Sequence, residues 1–120
     1  MTNLTDLTVD SLTIGGVVLH EDLPDTALIS IDMGVVTLSK VGVVTATLAK
    51  PTTVTDDHKR LYVVSLTAQA HTLAVVGGSF GNGGAGENLA TWDAAIGAGI
   101  ALVAFGGEWY ITNKTGVTVT

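Results

Sequence analysis

The chain has 120 residues with eleven acidic and five basic side chains, a net charge of −6 and a pI near 4.6, a balance that disfavours non-specific binding to phosphate backbones. Cysteine is absent, which excludes disulfides, thiolate metal sites and a cysteine nucleophile. Hydrophobic residues reach 47% and charged ones only 13%, with a mean hydropathy of +0.50, so some surface is expected to be buried against other subunits or a larger assembly.

Met1 to Asp6 shows neither a basic n-region nor an apolar h-region, and no cleaved export signal is expected. The longest uncharged apolar run, Ala94 to Phe105, is Gly-broken and shorter than the roughly 20 residues a bilayer span needs, so no membrane association is expected. Residues 1–27 differ in texture from the rest. Leu4, Leu7, Val9, Leu12 and Ile14 are spaced by Thr, Asp and Ser; Gly15-Gly16 interrupts; Val17, Val18 and Leu19 follow; and His20 to Asp25 forms a polar connector. This segment is expected to be an extended arm packed on a neighbouring chain or a host surface, the alternative being the first strand of the body.

The body, residues 28–120, is expected to be all-β. Val, Ile and Thr number 16, 6 and 18, and β-branched side chains suit a pleated sheet. Strand candidates recur between turn signals: Ala27–Asp32, Val35–Lys40, Val43–Ala49, Leu61–Thr67, Thr72–Val76, Gly99–Phe105, Glu108–Asn113 and Val117–Thr120. In Val43–Leu48, Val44, Ala46 and Leu48 share one face, and in the later strand Trp109 opposes Tyr110. One of that aromatic pair is therefore expected in the core and the other outside. Gly106-Gly107 suits the positive φ angles of a two-residue hairpin, which makes the strands on either side antiparallel. The expected architecture is an antiparallel β-barrel or β-sandwich, jelly-roll-like, with at most one short helix. Glu87–Ile96 is the helix candidate, and no internal repeat long enough for a solenoid is evident.

Candidate chemistry is sparse. Gly81-Asn-Gly83-Gly84-Ala-Gly86 satisfies G-x-G-x-x-G after a candidate strand. A dinucleotide site, however, needs a parallel sheet flanked by helices, and Glu108, at the distance of a ribose-binding acid, sits on an antiparallel strand. A surface loop is the expectation. His20, His58 and His71 have no ligand-spaced partners, and Asp56-Asp57-His58 reads as a solvent-facing turn more readily than as a calcium site. Ser79 lacks the G-x-S-x-G context of a nucleophile. The sequons at Asn3 and Asn113 carry meaning only with an export route. No catalytic residue, metal ligand or cofactor is expected, and the chain is not expected to be an enzyme.

The last segment, an apolar strand, Gly106-Gly107, Glu108, Trp109-Tyr110-Ile111 and the tail Asn113-Lys-Thr-Gly-Val-Thr-Val119, resembles the end of small β-rich virion proteins of tailed bacteriophages, capsid decoration and head-fibre proteins among them. Leu7 to Val17 is similar to segments that precede domains in such proteins. The strand, Lys50-Pro51, polar loop and return strand at Leu61–Leu66 also fit, whereas the Gly77–Gly86 loop is longer and richer in glycine than the pattern. The resemblance implies a non-enzymatic virion protein, a homotrimer on the outer capsid surface that stabilises the shell through contacts with the major capsid protein. It would be made in the host cytoplasm and would bind no nucleic acid. Leu4, Leu7, Val9, Leu12, Ile14, Trp109 and Tyr110 are the candidate subunit or capsid contacts. The alternative is a carbohydrate- or host-binding module of a phage fibre.

Overall fold

The computed structural model describes residues 12–14, 17–19, 26–81 and 86–120. Within these there is no helix, and eleven strands are present: β1 (Leu12–Ile14), β2 (Val17–Leu19), β3 (Thr26–Ile29), β4 (Val35–Leu38), β5 (Thr45–Ala49), β6 (Arg60–Ser65), β7 (Thr72–Val76), β8 (Leu89–Trp92), β9 (Gly99–Phe105), β10 (Glu108–Thr115) and β11 (Val117–Val119). β1 and β2 pair antiparallel with each other, Leu12 opposite Leu19. The remaining nine strands form a four-stranded sheet in the order β10-β9-β6-β4 and a five-stranded sheet in the order β11-β8-β7-β5-β3. The fold is all-β, and among the described residues neither sheet closes into a barrel.

The period-two pattern dictates how the sheets meet. Val36 and Leu38 of β4, Leu61 and Val63 of β6, and Ile100, Leu102 and Ala104 of β9 point inward from one sheet. Ala46, Leu48, Leu73, Val75, Ala90 and Trp92 point inward from the other, and all belong to one buried cluster. Burying one such aliphatic side chain stabilises by roughly 1.5–3 kcal/mol, so the face-to-face core is the main favourable contribution.

The expectation of a wholly antiparallel sheet needs correction. β3 with β5, β5 with β7, and β4 with β6 are parallel. From β3 to β7 the chain changes sheet at every loop, so strands that become neighbours in one sheet have run in the same direction. Val35 pairs with Tyr62 and Thr45 with Thr72, the same 27-residue offset that separates Val44 from His71, Asp32 from Lys59 and Lys40 from Thr67 in side-chain hydrogen bonds. The step before it, Thr26 opposite Thr45, is shorter because the Pro51–Lys59 loop has no counterpart there. Alternation of apolar and polar residues is the same for parallel and antiparallel strands, so residue pattern alone does not reveal this coil.

The chain then reverses. β8 runs antiparallel to β7, β9 to β6, β10 to β9, and β11 to β8. The helix expected at Glu87–Ile96 is instead β8 followed by a turn. Ala90 and Trp92 are buried while Leu89 and Thr91 are only half-buried, a period of two, and the Trp92 indole donates to Ala98 O at 2.9 Å. Pairing on both sides outweighs the local helix preference of Asn88 to Ala95. The two-residue hairpin is as expected: Gly106 and Gly107 have φ of 60° and 82°, and Phe105 faces Glu108. A side chain at Gly107 would start 2.8 Å from Thr53 Oγ1.

One polar chain ties successive turns of the coil together in the core. The Val44 amide donates to His71 Nδ1 at 2.9 Å, which places the ring proton on Nε2; Nε2 donates to Thr67 Oγ1 at 3.0 Å, and that hydroxyl donates to Lys40 O at 2.8 Å. His71 is fully buried, and desolvation pushes its imidazole below the ordinary value of 6.5. Between the two values the unfolded chain binds more protons, so this contribution is whole above pH 6.5 and is lost as pH falls towards the folded value. The unfolding free energy from urea titrations should therefore fall as pH drops below 6.5, at up to about 1.4 kcal/mol per pH unit. His71→Gln keeps an acceptor for Val44 and should flatten that dependence; an unchanged slope in the variant would remove His71 as its cause.

Candidate functional site

The acidic loop resolves into separate structural roles. Asp56 is buried, accepts the Thr52 amide at 2.7 Å and pairs with Lys59 Nζ at 2.7 Å; these bonds, Lys59 first, hold its carboxyl below the ordinary range. Lys59 also reaches Asp32 at 2.6 Å. Asp57 accepts the Gly106 amide at 2.9 Å, and the His58 ring lies against Phe105 with centroids 5.6 Å apart. The three side chains thus diverge. Among the described residues no cluster of three metal-ligating groups occurs. At the Gly-rich loop, β7 and the strand after the loop are antiparallel neighbours, which is not the parallel crossover of a dinucleotide site. Phe80 bridges to Trp109, and Gly81 packs so closely on Tyr110 and Glu108 that an added Cβ would lie 3.0 Å from the Tyr110 ring.

Of the candidate contact residues, Leu4, Leu7 and Val9 lie outside the described residues. Leu12 and Ile14 belong to β1. Trp109 must be withdrawn from the contact set: it is fully buried, with its indole donating to Ala49 O at 3.0 Å. Alternation then turns Tyr110 outward, where it is 37% exposed.

Tyr110 shares its face of the four-stranded sheet with residues that sequence reasoning did not single out. Val35, Tyr62 and Ala101 are in register across β4, β6 and β9, and Arg60, Val103 and Tyr110 across β6, β9 and β10. An open groove of about 770 Å³ crosses these strands, lined by Val35, His58, Arg60, Tyr62, Ala101 and Thr112 among others. The register shift between Ile111 and Asn113 makes Thr112 the extra residue of a β-bulge, and its hydroxyl donates to Ala101 O at 3.2 Å. Ala101 makes a low floor between the higher Tyr62 and Thr112. Tyr62 lies along the sheet: a Cβ on Gly99 would sit 3.1 Å from the Tyr62 hydroxyl and 3.0 Å from Val63 O. The available signal was an aromatic at an outward position of an alternating strand, which pattern reading treats as ordinary surface.

Neither the protein-family models nor the curated proteins contain a match to this chain.

The tightness at Gly99 has a measurable consequence. Gly99→Val should force the Tyr62 ring off the sheet and destabilise the fold by about 1–3 kcal/mol through overpacking. Urea unfolding monitored by tryptophan fluorescence checks the cost. A variant as stable as the parent would mean that Tyr62 does not need this space.

Proposed function

We propose that this chain is a non-enzymatic structural protein of a virion that works by subunit contact, as a homo-oligomer, a trimer on the phage resemblance, bound to a major capsid protein on the outer surface of a phage shell. One observation carries the assembly part: none of the five strands of the larger sheet contains a charged residue. Thr26, Thr45, Thr72, Thr91 and Thr118 occupy one register position across all five strands. On the outward side Leu28 and Val76 are 72% and 58% exposed. Soluble monomers usually intersperse Lys and Glu on such a face to prevent association. A face without them can be buried with little desolvation cost, and Thr45, Thr72, Thr91 and Thr118 can still exchange water for a hydroxyl partner. The virion and capsid assignment rests on the resemblance of the C-terminal and opening segments.

In light scattering the purified chain should run as an oligomer. Thr72→Lys with Thr91→Lys, which places like charges on the central strand of that face and its neighbour, should give a monomer with unchanged far-ultraviolet dichroism. A parent chain that is monomeric and leaves purified phage shells unbound would overturn the proposal.

A second reading, a carbohydrate-binding module, is favoured by the other face, where Tyr62, which lines the groove, and Tyr110, paired with the groove residue Val103, are 42% and 37% exposed. Exposed rings on a rigid sheet are suited to stacking against sugar faces.

A further inference from the structure

We infer that the groove across the four-stranded sheet binds a carboxylate-bearing saccharide, with Arg60 as the anchor of the carboxylate. The inference rests on the carbohydrate-binding reading and adds the charge class of the ligand. Its first support is that Arg60 is a spare cation. In a chain of net charge −6, its neighbour Lys59 takes both Asp32 and Asp56, and Asp57 is held by the Gly106 amide. Among the described residues no carboxylate pairs with Arg60. The guanidinium is exposed and lines the groove, where its fork of N–H donors matches a carboxylate in two parallel hydrogen bonds. Among the described residues no acidic side chain lines the groove, and Arg60 is the guanidinium that an anion entering it would meet.

The second support is shape. A ligand lying across four strands traverses three inter-strand spacings, roughly 14 Å in all, which suits an extended chain of sugar rings rather than a compact molecule. The groove is open, so hydroxyls on the far side of a saccharide would stay hydrated. Its floor is made of Ala101 and its walls of Tyr62 and the Thr112 bulge. Tyr62 offers an exposed ring and a hydroxyl, and Thr112 keeps an acceptor lone pair after donating to Ala101 O. Apolar floor, aromatic wall, few hydroxyls and one fork-shaped cation form a set that distinguishes a uronic-acid chain from its neutral counterpart.

The test uses the full chain labelled with nitrogen-15 and two probes, tri-galacturonate and its methyl ester, which share ring shape and differ in charge. Tri-galacturonate should shift the amide resonances of Arg60, Tyr62, Ala101 and Thr112, and the ester should bind at least about tenfold more weakly, the range expected for a charge-assisted hydrogen bond. Arg60→Gln should abolish the difference between the probes while leaving the thermal midpoint unchanged, as befits an exposed side chain without an ion pair. Equal binding of ester and acid, or full discrimination retained in Arg60→Gln, overturns the carboxylate assignment while the carbohydrate reading stands. Binding of neither probe overturns both.

Discussion

Everything else in this protein depends on a steric constraint set by the coil from β3 to β7. Because the chain changes sheet at each loop, an inward side chain must fit beside the one that entered the same position a turn earlier. Val63 follows Val36, Leu73 follows Ala46 and Val75 follows Leu48, and all six are buried. Where the later turn brings polar residues, they are buried with their hydrogen bonds made. Ser65 follows Leu38 and donates to Thr67 O at 2.5 Å; His71, fully enclosed, accepts from the Val44 amide. An unsatisfied imidazole in that place would cost on the order of 1–3 kcal/mol, so the Lys40, Thr67 and Val44 partners are what allow a histidine in the core. They also fix its neutral tautomer, and so make the junction between turns sensitive to protons.

The antiparallel strands β8 to β11 use that coil as a template. β9 adds to β6 and β8 to β7, and the two tryptophans fill the space between the sheets, each held by one indole bond to a backbone carbonyl. The Pro51–Lys59 loop is locked to the β9–β10 hairpin from both sides. His58 N donates to Ala104 O, Ala104 N donates to Lys59 O, and Asp57 takes the Gly106 amide. This explains why the extra residues of the longer turn can be tolerated: their backbone groups are satisfied by the hairpin they cover. It also explains why Lys59 and Arg60, adjacent in sequence, end with different fates. Lys59 faces the loop carboxylates, and Arg60, one residue on and pointing the other way, opens β6 on the outward face.

Much of the fold was legible from side-chain periodicity. Thr72–Val76 and Gly99–Phe105 are strands with the bounds that pattern reading gives them, and Gly106-Gly107 makes the hairpin it suggests. Strand direction was not legible, because inward and outward positions alternate identically in both pairings, and the 27-residue offset leaves little mark when Val, Thr, Ala and Leu substitute freely. The sequence of β8 predicts a helix because its Ala-rich flanks favour one locally, while what decides the matter is pairing with β7 and with Val117–Val119, both remote in sequence. The groove was hidden for a related reason. Tyr62, Ala101 and Thr112 come from three strands, and only the register of β6 on β9 and a bulge in β10 bring them together.

Charge placement distinguishes the two outward faces. The described charged residues lie in loops except for Arg60, Glu108 and Lys114, and all three of those are in the four-stranded sheet. The five-stranded face, whose strands carry no charged residue, is therefore left to contacts that depend on shape and burial. Contacts of that kind are hardly weakened by salt, since they contain no charge to screen. A ligand held through Arg60 on the opposite face is different: its attraction acts at an exposed cation and fades as the Debye length shrinks from about 10 Å at 0.1 M ionic strength to about 3 Å at 1 M. The two faces thus differ in the physical force they offer. On the proposed function, contacts through the threonine face would persist at high salt, and a ligand in the groove would be released by it.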